Sequence, residues 1–487
     1  MKLEGQFRAQ MHRRSFLARS GIGLGSLALS TLVDRDSSNA SDSVARPGQS
    51  AGGGWHGLPG LPHHLPRVKR VIFLYMSGGP SQFETFDYKP MLEELDGQPM
   101  PESYTKGQPI AQLQGQELKV QGPMSEFSQY GENGQWISDF LPWHAKMADE
   151  ICIVRSMVTD QINHDPAHTF MNTGTAISGR PSIGSWLTYG LGSDSDDLPG
   201  FVVLTSVGGR NPQPISSRQW SAGFLPSRFQ GVEFNSAGDP VHYVRNPEGV
   251  SPAQQRALVD AVRDLDRHRN TTLGNPEVDA RIAGYEMAFR MQTSVPELMD
   301  ISDEPQAVLD MYGAKPGDGS FASNCVLARR LAERGVRFIQ LYHRGWDHHG
   351  DLVRYMNICC PLTDRPAFAL LNDLRQRGML DDTLIIWGGE FGRTPMFQGK
   401  GGPGRDHHMK GFTMWLAGGG IRRGITYGAT DELGYHAVEN VVHVRDLHAT
   451  MLHLLGINHT RLTVKYQGLD MRLTGVEPAR VVSDILS

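Results

Sequence analysis

Residues 382–408 read DTLIIWGGEFGRTPMFQGKGGPGRDHH, from Asp382 to His408. Thr383-Leu384-Ile385-Ile386-Trp387 is a short continuous apolar run of β-branched and aromatic side chains. Such a run predicts a strand buried on both faces, as in a parallel sheet. Gly388-Gly389 ends it, because glycine lets the backbone turn sharply. Glu390 follows at once. In an open α/β sheet, reactive groups gather at the carboxyl ends of strands, which makes Glu390 the first candidate site residue. Gly399 to Gly404 reads as a loop delivering Arg405, Asp406, His407 and His408 back toward that strand end. An acid and two histidines there would share a metal with Glu390. The plainer alternative is solvated loop histidines, with Glu390 paired to Arg393.

Working outward, the same unit recurs upstream. Ser323–Arg334 is an amphipathic helix stopped by Gly335, and Val336–Tyr342 is the next buried strand. That strand runs into His343-Arg344-Gly345-Trp346-Asp347-His348-His349-Gly350-Asp351, the densest cluster of metal-competent side chains in the chain. Asp364–Gly378 reads as the crossover helix to the strand at Thr383. Val68–Met76 is a first strand ending in Ser77-Gly78-Gly79-Pro80-Ser81, with Glu84 and Asp87 just beyond. Ile151–Met157, Phe201–Ser206 and Phe412–Ala417 are further strands, and Arg445–Leu455 is a late amphipathic helix. Helix, strand and site in repeated succession predict an α/β fold: a doubly wound, mostly parallel sheet with helices on both faces. Residues 95–135 read as an irregular excursion and about 207–315 as a loop-rich insertion carrying scaffold helices.

Asn163-His164-Asp165-Pro166-Ala167-His168 predicts a helix start, with Asn163 as N-cap and Pro166 in the first turn. His164 and His168, four apart, would share one helix face and grip one ligand or metal.

The composition is that of an ordinary globular protein, 39% hydrophobic and 20% charged over 487 residues, enough for one large or two medium domains. A formal net charge of -5 gives no basic excess, so no nucleic-acid partner is expected. The four cysteines (Cys152, Cys325, Cys359, Cys360) form no CxxC pair, and buried free thiols are favoured over disulfides. Arg13-Arg14-Ser15-Phe16-Leu17 followed by a short, glycine-broken apolar stretch matches a twin-arginine export signal. We therefore expect residues 1–40 to be a signal peptide engaging the twin-arginine machinery, 41–66 a flexible linker, 67–475 the α/β domain and 476–487 a C-terminal tail. The expected location is periplasmic or cell-surface, with no transmembrane span after signal removal.

The signal, GGPSQFETFDYKP, WDHHGD, GGEFGRTP and GRDHH together resemble the DUF1501 family, which is similar to the alkaline phosphatase and sulfatase superfamily. The resemblance covers about residues 67–475. It implies an alkaline phosphatase-like fold and a metal site. The superfamily's metal-binding Asp and His fall on Asp347 and either His348 or His349. Its second Asp–His pair falls on Glu390 and Phe391, keeping an acid but losing the histidine. Its last histidine falls on His407 or His408. Sulfatases carry Cys-x-Pro-x-Arg ahead of Thr-Gly. Here His164-x-Pro166-x-His168 precedes Thr173-Gly174 at that spacing, so His164 stands at the nucleophile position and His168 at the arginine position. Ser77-Gly78 stands where the superfamily has its first-strand Asp. The resemblance thereby argues against a formylglycine mechanism, and a Ser/Thr phosphatase mechanism finds no clear nucleophile, with Ser77, Ser81 and Thr169 as nearby candidates.

The expectation is a metal-dependent hydrolase acting on a small-molecule or polymer-linked phosphate or sulfate ester. The ligand set is drawn from Asp347, His348, His349, Glu390, Asp406, His407 and His408. The metal is divalent, zinc first, with manganese, calcium and iron compatible with these donors. Arg393 or Arg405 would neutralise the anion bidentately. His164 and His168 stand as ligand, general base or nucleophile. A non-catalytic exported binding protein on the same fold, and a metal enzyme of another class, are the competing readings.

Overall fold

A strand with two apolar faces needs cover on both, and Arg70–Ser77 (β1) has it. The computed structural model describes residues 55–209, 213–241, 246, 249–273, 276–399 and 401–487. In it, Val71, Phe73 and Tyr75 enter one hydrophobic cluster, and Ile72, Leu74 and Met76 the other. The remaining principal strands are Ile151–Val158 (β2), Phe201–Thr205 (β3), Val232–Phe234 (β4), Phe338–Arg344 (β5), Thr383–Gly388 (β6), Gly392–Gly399 (β7), Pro403–His408 (β8), Phe412–Gly418 (β9) and Ile425–Tyr427 (β10). The central sheet has nine strands in the order β10-β2-β9-β6-β1-β5-β3-β4, with Val442–His443 also pairing β2. From β6 to β4 every pairing is parallel, while β9 runs against both β6 and β2.

The principal helices are His164–Thr173 (α1), Ile183–Leu191 (α2), Phe321–Glu333 (α3), Leu352–Gln376 (α4) and Val444–Leu454 (α5). Residues of α3 and α4 fill one face of the sheet; α1, α2 and α5 fill the other. The mostly parallel, doubly wound arrangement expected from the apolar runs is the one that forms.

Register makes the site. Ser77 pairs with Arg344 and Tyr75 with Gly388, so β1, β5 and β6 end level with one another. Gly78 holds φ at +122°, and a Cβ there would stand 2.5 Å from the amide nitrogen of Asp347. Only glycine lets the turn after β1 lie against the loop after β5.

Four expectations change. The glycine-rich stretch is no loop: β7 and β8 form an antiparallel hairpin with its irregularity between Arg405 and His407. Helix α4 begins at Leu352, well before Asp364, and carries Pro361 and Pro366 within it. Residues 55–66, read as linker, pack: Trp55 Nε1 donates to Tyr189 O at 2.8 Å, and Asn458 N donates to His63 Nδ1 at 3.0 Å. Residues 476–487 are likewise no free tail, because Val482 and Ile485 are buried and Leu486 bridges to Ile421. All four cysteines are buried free thiols. The twin-arginine signal lies outside the described residues. Among the described residues, no helix is long and apolar enough to cross a membrane.

Candidate functional site

Asp347 is the hub. It sits in the loop after β5, and its Oδ1 is approached by four nitrogens: Arg393 Nη2 at 2.7 Å, His349 Nε2 at 2.9 Å, His407 Nε2 at 3.1 Å and His164 Nε2 at 3.2 Å. Three strand ends and a helix start supply them: β5 gives Asp347 and His349, β8 gives His407, β7 gives Arg393, and α1 opens on His164. Asn163 occupies the N-cap position in extended conformation, although its side chain makes no capping bond.

The far side of each imidazole fixes what the near side offers. His164 Nδ1 lies 2.7 Å from Glu390 Oε1, His407 Nδ1 3.0 Å from the Ile162 carbonyl, and His349 Nδ1 2.5 Å from Gln398 Oε1. Each partner accepts, so each Nδ1 carries the proton and each Nε2 is unprotonated, that of His349 also accepting from Gln112 Nε2 at 3.1 Å. Three lone pairs therefore face one carboxylate oxygen. His164 Nε2, buried and 3.2 Å from Asp347, makes no hydrogen bond. Such an arrangement suits a cation. The ligand atoms of His164, Asp347, His349 and His407 lie within 4.8 Å of one another. Three imidazole nitrogens and one carboxylate, with oxygen acceptors behind the rings, are a donor set that fits a divalent metal.

The titrations agree with that charge layout. Burial opposes ionisation of Asp347, but the Arg393 guanidinium beside it holds its carboxyl well below the usual range. Burial also opposes ionisation of Glu390, yet His168 and His164 bring it down to about 2. Burial pushes His407 down to about 4, leaving it neutral. Burial lowers His164 too, but Asp347 and Glu390 outweigh it and raise the ring, so a proton and a metal compete for the same Nε2.

Other expected ligands are turned away. His348 points back into the core, its Nε2 donating to Gly345 O at 2.8 Å, because adjacent residues of an extended loop face opposite sides. His408 is separated from His407 by the same alternation; its Nε2 donates to the Tyr435 carbonyl. Asp406 is occupied with backbone amides, accepting from Gln112 N at 2.6 Å, Leu113 N at 3.0 Å and its neighbour His407 N at 2.9 Å. Glu390 faces His164 and not Asp347.

Neither arginine is free to grip an anion. Arg405 is fully buried and clasps Glu84, with Nη2 2.8 Å from Oε1. Arg393 is fully buried as well: Nε donates to Gly79 O, Nη1 to Arg405 O, and Nη2 to Asp347. Its job is to aim Asp347. His168 lies behind the hub, buried, with Nδ1 2.8 Å from Tyr75 Oη and burial holding it down near 4. Ser81 Oγ donates to Glu84 and Thr169 Oγ1 to Asp165 O, so both hydroxyls are occupied.

Sequence reasoning passed over Tyr75, Gln398 and the Ile162 carbonyl. Nothing near Ile162 or Gln398 in the chain marks them, since their roles arise only from contacts with residues far away in sequence.

The sequence model of a family described as "Protein of unknown function (DUF1501)" matches residues 68–486. No curated protein matches the chain in sequence. Among solved structures it is similar to the lipoteichoic acid synthase LtaP from Listeria monocytogenes (11% identity, 84% of this chain and 74% of that one, TM-score 0.33). A protein in the alkaline phosphatase superfamily from Vibrio parahaemolyticus is similar at 11% identity, over 81% and 69% of the two chains, TM-score 0.35. Alkaline phosphatase from the Antarctic bacterium TAB5 is similar at 11% identity, over 81% and 99%, TM-score 0.31.

Proposed function

This chain belongs to the DUF1501 family, and from its site we propose an exported, metal-dependent hydrolase of phosphate or sulfate esters, free or attached to a polymer. One observation carries the reading: three imidazole Nε2 lone pairs and Asp347 Oδ1 converge at the carboxyl edge of the sheet, with no hydrogen bond satisfying His164 Nε2. Asp347, His164, His349 and His407 would hold the ion, and the nitrogen-rich set favours zinc. Bound there, a divalent ion supplies a water activated near neutral pH and neutralises charge on the ester oxygens. The twin arginines at Arg13-Arg14 support the export half of the proposal.

The chain's own residues do the arranging. Arg393 fixes the Asp347 carboxylate. Glu390 keeps the His164 proton on Nδ1. With Ser81 and Thr169 engaged elsewhere and Ser77 buried, water is the nucleophile and His164 is a holder of the ion. With Arg393 and Arg405 both committed internally, charge recognition falls to the metal centre rather than to a guanidinium clamp.

The test is a screen of phosphate and sulfate esters with protein reconstituted in zinc, manganese, calcium or iron. Turnover that needs the metal and disappears in Asp347→Ala supports the proposal. A tightly held metal with no turnover on either ester class would leave the binding-protein reading in its place.

A further inference from the structure

Behind the hub, His164, His168 and Glu390 form a second convergent trio of metal-competent atoms. We infer that this trio is a polar relay fixed by Tyr75, not a second metal site, so the centre takes one ion and His168 and Glu390 are positioning residues. The inference rests on the proposed metal centre and states how many ions that centre holds.

Tyr75 and His168 are fully buried, with Tyr75 Oη 2.8 Å from His168 Nδ1. Among the described residues, that nitrogen is the hydroxyl's sole hydrogen-bond partner. The neighbouring acceptor, Asn172 Oδ1, already takes Gln340 Nε2 at 2.7 Å and Tyr342 Oη at 3.2 Å. Leaving a buried hydroxyl proton without an acceptor is unfavourable. Tyr75 therefore donates, and Nδ1 is the bare nitrogen of His168. A neutral imidazole has one proton, which then sits on Nε2. That N–H points between Ser77 Oγ at 3.5 Å and Glu390 Oε1 at 3.6 Å. A protonated ring nitrogen has no lone pair for a cation. The opposite tautomer would strand the Tyr75 proton and set a nitrogen lone pair against the Glu390 carboxylate.

Glu390 is occupied in the same way. Its Oε1 accepts the His164 Nδ1 proton at 2.7 Å, and the Gly78 amide stands 3.1 and 3.2 Å from its two oxygens. The approach of Gly78 depends on its positive φ. The chain Tyr75–His168–Glu390–His164 thus transmits one instruction: Nε2 of His164 stays bare and turned toward Asp347.

The direct test is long-range proton–nitrogen NMR on metal-free protein with ¹⁵N-labelled histidine at neutral pH, with His168→Asn identifying the His168 signals. The wild type is expected to show the Nε2–H tautomer, and Tyr75→Phe, which removes one hydroxyl, to lose that preference. Elemental analysis should find about one ion per chain in both wild type and His168→Asn. An Nδ1–H tautomer in the wild type overturns the inference, as do two ions per chain falling to one in His168→Asn. Failure of the hydrolase proposal reads differently: no ion in any variant, while the tautomer remains Nε2–H.

Discussion

Glu84→Gln removes one charge from an ion pair with no access to water. Glu84 and Arg405 are both fully buried, 2.8 Å apart at their nearest atoms, and Arg405 Nε also lies 3.1 Å from each Glu84 oxygen. The glutamine keeps the shape and one acceptor but leaves the guanidinium uncompensated. Carbonyls of Gln121, Gly122 and Thr394 still accept from it, at 3.1, 2.7 and 3.4 Å. Breaking a buried pair from one side costs about 3–5 kcal/mol, and the surviving acceptors place this variant near the lower end, at about 3 kcal/mol. With a urea slope of about 3 kcal/mol/M, the unfolding midpoint should fall by about 1 M. The double variant Glu84→Leu with Arg405→Leu should lose less than either single leucine change, because no lone charge remains buried. The assay is urea unfolding followed by tryptophan fluorescence, as a double-mutant cycle. A Glu84→Gln midpoint within experimental scatter of wild type, or strictly additive leucine changes, would refute the structural role given to Arg405 and return it to the list of anion binders.

Three further outcomes follow from the geometry. Glu390→Gln keeps an acceptor but loses the negative charge that holds the proton of His164 on Nδ1, so metal affinity should drop about 10- to 100-fold in a chelator competition without loss of fold. Gly404→Ala would put a Cβ onto the His349–Gly350 peptide, pushing the hairpin from the Asp347 loop; metal binding should be lost while the far-UV spectrum stays close to wild type. His448 is fully buried, its Nε2 2.9 Å from Met171 O, and burial pushes it down to about 4 from an ordinary 6.5. Folded and unfolded chains both hold it neutral above pH 6.5, so its stabilisation is complete there. As pH falls from 6.5 to about 4 only the unfolded chain takes the proton, and about 3 kcal/mol is lost. Stability curves of wild type and His448→Gln should therefore converge with acidification, and parallel curves would contradict the assignment.

What could be read from the sequence follows from where the information resides. β1 and β6 announce themselves because a strand buried on both faces is apolar along its length, and Val71–Met76 and Leu384–Trp387 are. Asp347, His164 and His407 stand out because metal-competent residues at strand and helix ends are unusual by type and place. Which of two adjacent histidines faces the centre is a matter of register. His349 and His407 face it, whereas His348 and His408 do not, and no property of the residues themselves distinguishes them. The roles of the arginines were hidden for another reason. Arg405 finds Glu84 321 positions away, and Arg393 finds Asp347 46 positions away, so their commitment appears only after folding. The β7–β8 hairpin was masked by glycines at 399, 401, 402 and 404, which read as loop although two of them permit close approach.

The most direct test of the account is metal content. Protein purified without chelator, or reconstituted at neutral pH and desalted, should carry about one divalent ion per chain by elemental analysis. Asp347→Ala should carry none, with its secondary structure intact. A wild-type chain that holds no ion after reconstitution would contradict the central claim, because three imidazole nitrogens converging on one carboxylate oxygen would then need another explanation.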